Sequence, residues 1–339
     1  MSGRHARSAL FPGIGPGGQE RIGGTAIAFV GVGAVGAAAA EIAVRAGVAR
    51  VTVVDRDVVE PSNLSRQFLF DAADAESVRP KAEAAADRLR QIDPSIPARA
   101  VVADLEPRNA RDLLAGHDLV FDGSDNFETR LLVSDACHAL GTPSVYAACV
   151  GEEGRVAVSV PGKTPCLRCY LEALPPAGSG PTCDTVGVVP SLPPLVASVG
   201  MGEALRLAVG APPAPGLLAL SVWDGGFRSR RLFEDARPSA ACPACAEGRY
   251  PALEEGVSEL VKLCGRQSVQ ITPRGRVRPD FDALERRLAA VARVRRSPQL
   301  LNADLDGVSL SVFADGRCVV RGTGDPARAR GYYDRYVGG

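Results

Sequence analysis

Four of the nine cysteines stand in two CxxC pairs, Cys166-Leu167-Arg168-Cys169 and Cys242-Pro243-Ala244-Cys245, with 72 residues between them. Each pair can share one turn, and four thiolates can close a tetrahedral shell around Zn²⁺. No apolar run follows the basic residues of 1–10, so no secretory leader is expected and the compartment is read as the cytoplasm. In that setting two CxxC pairs point to metal, with two disulfides or four reduced thiols as alternatives. Cys166, Cys169, Cys242 and Cys245 are the candidate ligands. A closed four-sulfur shell leaves no open position, so the metal would be structural.

A second constellation begins at Gly31-Val32-Gly33-Ala34-Val35-Gly36, which reads GxGxxG. Glycines allow a tight turn and close backbone approach. The N–H groups and dipole at the following helix start attract phosphate. Asp55 ends the next strand, where an acidic residue can accept from ribose hydroxyls. The turn alone does not separate NAD from ATP, and a merely tight helix–sheet contact gives the same pattern. The charges that follow do discriminate. Nicotinamide needs apolar room, whereas a triphosphate needs cations above it and a carboxylate for Mg²⁺. Arg66 and Lys81 suit the first need and Asp125 the second. Taken singly, each of these charges also reads as a solvated loop residue.

The elements that would position these residues alternate. Strands are predicted over 26–30, 50–54, 119–121, 144–150 and 155–160, and helices over 34–46, 81–92 and 129–140. That alternation predicts an α/β fold with a Rossmann-like doubly wound sheet. Residues 174–194 are rich in Pro and Gly and read as a long loop, followed by a helix over 195–209 and a hairpin of 217–223 with 227–233. A boundary near 246–256 divides a first domain, 1–250, from a small α+β C-terminal domain, 257–339. The latter is read as a strand over 268–272, a helix over 280–294, a hairpin of 308–313 with 317–321 and a helix over 326–337.

Composition narrows the function classes. The 339 residues hold 39 Lys+Arg against 39 Asp+Glu, which disfavours general nucleic-acid or anionic-membrane binding. With 3 His, a histidine-rich metal site is not expected. The uncharged stretch 25–40 is interrupted by Gly31, Gly33 and Gly36 and reads as a strand, a turn and a helix rather than a bilayer span.

In combination the motifs resemble the ubiquitin-activating-enzyme-like adenylyltransferases, the ThiF/MoeB/HesA family of molybdopterin and thiazole biosynthesis. The resemblance rests on Gly31–Gly36, Asp55, Asn63-Leu64-Ser65-Arg66-Gln67, Lys81, Ser124-Asp125-Asn126 and both CxxC pairs, and covers about 1–250. It implies an enzyme that adenylates the C-terminal Gly-Gly carboxylate of a ubiquitin-like sulfur-carrier protein. It implies ATP over Gly31, Gly33 and Gly36, with Asp55 on the ribose. Asn63, Arg66, Gln67 and Lys81 would lie along the triphosphate, with Asp125 beside Asn126 holding Mg²⁺ and the four cysteines holding structural Zn²⁺. It also implies a homodimer, because an N-terminal arginine of the family pattern reaches the partner's ATP. Arg7 fits that place, while His5 and Ser8 depart from the pattern's Tyr and Gln.

Cys183 lies in the Pro/Gly-rich stretch, where an exposed thiol is a candidate nucleophile. In several family members a cysteine here forms a thioester or acyl-disulfide with the carrier, and in others it is dispensable. Residues 266–296 hold nine Arg, a pattern that suits either a solvated helix face or an acidic partner. The terminal Gly338-Gly339 reads as a frayed end. Three alternatives stay open: an NAD-linked oxidoreductase, a non-catalytic carrier-docking protein, and an adenylating enzyme for a small molecule or tRNA.

Overall fold

The computed structural model describes residues 3–171, 186–254, 260–262, 267–273, 278–305 and 307–337. Cys183, Cys264 and Gly338-Gly339 lie outside the described residues. The chain begins with α1 (Ala6–Leu10) and α2 (Gly15–Gly24), then β1 (Ala26–Val30). Strands and helices follow as α3 (Ala34–Ala46), β2 (Arg50–Asp55), a 3-10 turn (Pro61–Asn63), α4 (Ala72–Glu76), α5 (Lys81–Ile92), β3 (Ala98–Val102), α6 (Ala110–Leu114), β4 (Leu119–Asp122), α7 (Phe127–Leu140), β5 (Ser144–Val150) and β6 (Glu153–Ser159). A second 3-10 turn (Leu167–Tyr170) precedes α8 (Leu192–Ala208), β7 (Leu217–Ser221), β8 (Arg228–Leu232), α9 (Pro243–Glu247) and α10 (Pro251–Glu254). The remainder holds β9 (Leu260–Lys262), β10 (Ser268–Ile271), α11 (Phe281–Leu288), β11 (Arg293–Arg296), β12 (Leu300–Leu305), β13 (Val308–Phe313), β14 (Cys318–Arg321) and α12 (Pro326–Tyr336).

The first sheet runs β3-β2-β1-β4-β5-β6-β7-β8. Its first five strands are parallel and the last three antiparallel. Alternation along the strands sends side chains to two cores. Ile27, Phe29, Val51, Val53 and Phe121 pack with α3, α5 and α8, while Ala28, Val30 and Val120 pack with α6 and α7. Helices on both faces of a parallel sheet make this the doubly wound α/β fold. The chain order reverses between β1 and β4, and that is where such sheets bind ligands. Ala252 of α10 still belongs to the α7 core.

The second sheet, β11-β12-β13-β14-β10-β9, is antiparallel throughout. One face is apolar: Leu301, Ala303, Leu310, Val312, Val320, Val269 and Ile271 pack against Phe281, Leu284 and Leu288 of α11 and Ala329 of α12. The other face lies against the first sheet's loops. Leu300, Phe313 and Val319 meet Val58, Val78 and Val102. Among the described residues β8 and β11 end their sheets, and both carry arginines, Arg228-Ser229-Arg230-Arg231 and Arg293-Val294-Arg295-Arg296.

Several elements depart from the sequence expectation. Residues 98–102, unassigned from sequence, form β3, a short edge strand with Arg99 exposed. The helix expected over 280–294 stops at Leu288, because pairing with β12 draws 293–296 into a strand. Residues 300–305, also unassigned, lie between β11 and β13. Helix α8 starts at Leu192, with Pro193 and Pro194 in its first turn, where their missing N–H groups cost nothing.

The tightest joint in the fold is at Gly36. A Cβ there would stand 1.8 Å from the Gly31 carbonyl oxygen. Gly36→Ala is expected to cost about 3 kcal/mol or more by chemical denaturation, since backbone must move. Gly202→Ala, in α8 with nothing within 4 Å, is expected to be neutral or to gain up to about 1 kcal/mol in the same measurement.

Candidate active site

Strand β1 delivers the chain into the glycine turn. Gly31 has φ +77°, which glycine adopts without strain, and a Cβ there would meet Ser124 backbone and the Gly123 carbonyl at 3.0 Å. Gly33 caps α3 with no side-chain hydrogen bond. The first N–H groups of a 13-residue helix are thus left to a ligand. Asp55, at the end of β2, braces the turn: its carboxylate accepts from Val32 N at 2.8 Å and Asp57 N at 2.7 Å. Burial raises its pKa, and the neighbouring Lys81 charge works against that rise. Each carboxylate oxygen has a second lone pair, which a ribose hydroxyl can use.

The loop after β2 folds over this turn. Asn63 is fully buried, and its Oδ1 accepts from Glu60 N at 3.0 Å, so it shapes the 3-10 turn. Arg66 Nη1 donates to Ser62 O at 2.9 Å. Gln67 is buried beside the glycines, its Nε2 3.8 Å from where a Gly33 Cβ would be. Gln67 Oε1 has no hydrogen-bond partner among the described residues. The Nε2 donors are what a phosphate oxygen could use, whereas the unpartnered Oε1 is an acceptor and calls for a ligand hydroxyl or N–H. Lys81 opens α5 and is only 4% exposed, with its Nζ 3.2 Å from Asp57 Oδ2.

Asp125 lies on the loop after β4, exposed, with Asn126 Nδ2 at 3.4 Å from its Oδ1. Asn126 caps α7 by accepting from Thr129 N at 2.8 Å. The sequence reading missed three residues here. Asp122 is buried and accepts from Ser124 N and Oγ, and burial raises its pKa. Arg130 donates to Ser124 O at 3.1 Å and lies over the rings of Phe127 and Tyr146. It fixes the loop that bears Asp125, and its place one turn after the Asn126 cap was the available signal. Arg56 pairs with Asp104 at 3.2 Å. Burial opposes the Arg56 charge, but Asp104, Asp57 and Asp125 outweigh it and raise its pKa.

The structure thus brings Gly31, Gly33, Gly36, Asp55, Asn63, Arg66, Gln67, Lys81, Asp125 and Asn126 to one end of the sheet, around the switch point between β1 and β4. It does not bring Arg7 there. Arg7 is exposed on α1, and His5 of the same segment packs at Gly47, the far end of α3. The length of α3 separates that end from the glycine turn by about 20 Å.

The four CxxC cysteines form one cluster, with Sγ atoms all within 4.8 Å. Cys166–Cys242, Cys169–Cys245 and Cys166–Cys169 are 3.5, 3.7 and 3.8 Å apart. A tetrahedral shell with Zn–S bonds of 2.3 Å has edges of about 3.8 Å, so the cluster fits that metal. The Cys245 thiol and burial push Cys166 up, and burial pushes Cys169 up to about 11. A divalent cation is what would let these thiols ionise together. The cluster is tied to α7: Arg168 makes two 2.8 Å bonds to Asp135, which is fully buried and also accepts from Ala252 N.

The ThiF family model matches residues 5–244. The sulfur carrier protein ThiS adenylyltransferase of Bacillus subtilis is 39% identical over 343 residues, covering 100% of both chains. The sulfur carrier protein adenylyltransferase of Thermus thermophilus is 39% identical over 269 residues, covering 77% of this chain and 96% of its own. A crystal structure of E. coli MccB with ATP shares the fold, with a TM-score of 0.61 at 16% identity over 72% of this chain and 74% of that one. The family model spans the glycine turn, Lys81, Asp125 and all but the last of the clustered cysteines, and the Bacillus subtilis relative matches the whole chain; this chain belongs to the ThiF family.

Proposed function

We propose that this chain is an ATP-dependent adenylyltransferase for the C-terminal Gly-Gly carboxylate of a ubiquitin-like sulfur-carrier protein. The observation that carries it is the joining of an uncapped helix N-terminus, buried Lys81 and the open Asp125 carboxylate at one switch point. That set suits three linked phosphates and a divalent cation better than a dinucleotide. The full-length match to the Bacillus subtilis enzyme supports the same reading.

In this reading ATP lies with its phosphates at Gly31–Gly36 and its ribose on Asp55. The carrier carboxylate attacks the α-phosphorus, the bond to the bridging oxygen breaks, and pyrophosphate leaves with that electron pair. Arg66 and Lys81 hold the departing charge, and Gln67 orients the phosphates from beneath. Mg²⁺, held by Asp125, would supply charge neutralisation across the phosphate oxygens. No side-chain nucleophile is needed for this step; positioning and charge stabilisation drive it. The four cysteines would hold structural Zn²⁺. Arg7, remote from the site of its own chain, would serve the partner's site in a homodimer. We read 1–250 with α10 as the adenylyltransferase domain and 257–339 as the C-terminal domain.

Carrier-dependent ATP–pyrophosphate exchange tests the proposal. Exchange should require a carrier ending in Gly-Gly, and Asp125→Ala or Arg66→Ala should lower it by about 100-fold or more. Exchange that survives both substitutions would overturn the assignment. Metal analysis should give about one zinc per chain. Cys166→Ser should lose the metal and lower the melting temperature, checked by elemental analysis and calorimetry. Cys183→Ala should keep exchange while any covalent carrier adduct disappears from the intact-mass spectrum.

A further inference from the structure

The second sheet reaches the candidate site through polar side chains that the steps above do not use. Gln270 Nε2 donates to Asp104 Oδ2 at 2.7 Å, and the same oxygen takes Arg56 Nη1 at 3.2 Å. Arg321 Nε donates to Glu60 Oε1 at 2.9 Å. Glu60 is the cap of the 3-10 turn that leads into Asn63, Arg66 and Gln67. Gln270 and Arg321 stand on paired strands, β10 and β14, and on the same face, since Ser268 opposes Arg321 and Gln270 opposes Val319. One face of one sheet therefore grips two loops that border the site.

That face is unusual for its polarity. Ser268, Gln270, Asn302, Ser311 and Arg317 on it are all buried. Buried polar groups cost free energy unless they are satisfied. Yet Gln270 Oε1 and Ser268 Oγ have no hydrogen-bond partner among the described residues, and neither do the two Nη atoms of Arg317, whose guanidinium lies 3.6 Å over the Phe313 ring. The apolar face of the same sheet is covered by α11 and α12, and on this face the apolar contact is confined to Leu300, Phe313 and Val319 against Val58, Val78 and Val102. In a doubly wound sheet the nucleotide crosses the C-terminal ends of the strands. Phosphates at the turn after β1 and ribose at the end of β2 direct the base outward, toward the end of β3. Asp104 lies on the loop that follows β3.

We propose that the polar face of the second sheet closes the base end of the nucleotide site. Gln270 and Arg321 are its positioning residues. Gln270 holds Arg56 through Asp104, and Arg321 holds the 63–67 turn through Glu60. The inference rests on the adenylation reading and adds a specific role for the C-terminal unit: it sets the affinity for ATP and not for the carrier.

The test uses the full chain. Titration calorimetry with a non-hydrolysable ATP analogue, and exchange kinetics with ATP and carrier varied in turn, are run on Gln270→Leu, Arg321→Met and Arg321→Lys. Both Gln270→Leu and Arg321→Met should raise Kd and KM for the nucleotide about tenfold. The carrier KM should stay within about twofold. Arg321→Lys should recover most of the loss, and Arg287→Ala, which bonds Tyr336 O on the far side of the sheet, should change neither constant. Unchanged nucleotide constants in both variants, or equal rises for nucleotide and carrier, would overturn the inference. Hydrogen exchange of the unmutated chain gives an arm free of folding defects. Adding the analogue should slow amide exchange in 267–271 and 318–321, and no slowing there despite binding would also overturn it. An unmutated chain with no affinity for the analogue would overturn the adenylation reading itself, a result distinct from any of these.

Discussion

Three backbone segments meet without side chains between them, and the rest of the site depends on that contact. Gly31 at the end of β1, Gly36 in the first turn of α3 and Gly123 after β4 approach so closely that a methyl group on any of them would strike the others' main chain. The approach sets α3 directly over the end of β1, so its N–H groups face the switch point. Asp55 then ties β2 to the same turn through Val32. The geometry proposed to bind phosphate is therefore a property of the backbone, and the charged side chains are added to a cradle that already exists.

Helix α7 transmits that geometry across the molecule. Its N-terminus carries Asn126 and Arg130 at the site, and its middle carries the buried Asp135 that holds Arg168 between two of the clustered cysteines. A buried ion pair is costly to break by removing one member, on the order of 3–5 kcal/mol, because the other charge is left stranded. The cysteine cluster and the Asp125 loop are thus two ends of one rigid element. A metal held by the four thiols would therefore support the loop at the other end without touching it.

Much of this was legible in the sequence because the signals were local. GxGxxG after an apolar run, Asp55 at a strand end and two CxxC pairs each carry their geometry within a few residues, and the structure brings the two distant pairs into one cluster. The elements that escaped were those decided by tertiary pairing. Strand β3 is short and half-exposed, and β11 and β12 read as helix or loop until they find each other in the sheet. The polar face of the second sheet was also invisible, since Ser268, Gln270 and Ser311 alternate with apolar residues as a solvent-facing row would. Only its docking on the first sheet's loops shows that row to be buried. The pairing of Arg56 with Asp104 spans two loops and has no sequence signal at all.

The arginine-bearing end strands β8 and β11 have a bearing on how the chain behaves in company. A sheet margin offers unpaired amide and carbonyl groups to any extended peptide, including the tail of another protein. Rows of guanidinium groups on such a margin repel their like and discourage edge-to-edge stacking of copies. Copies of the chain are thereby kept from joining margin to margin through these two strands, so that neither sheet grows into a longer one.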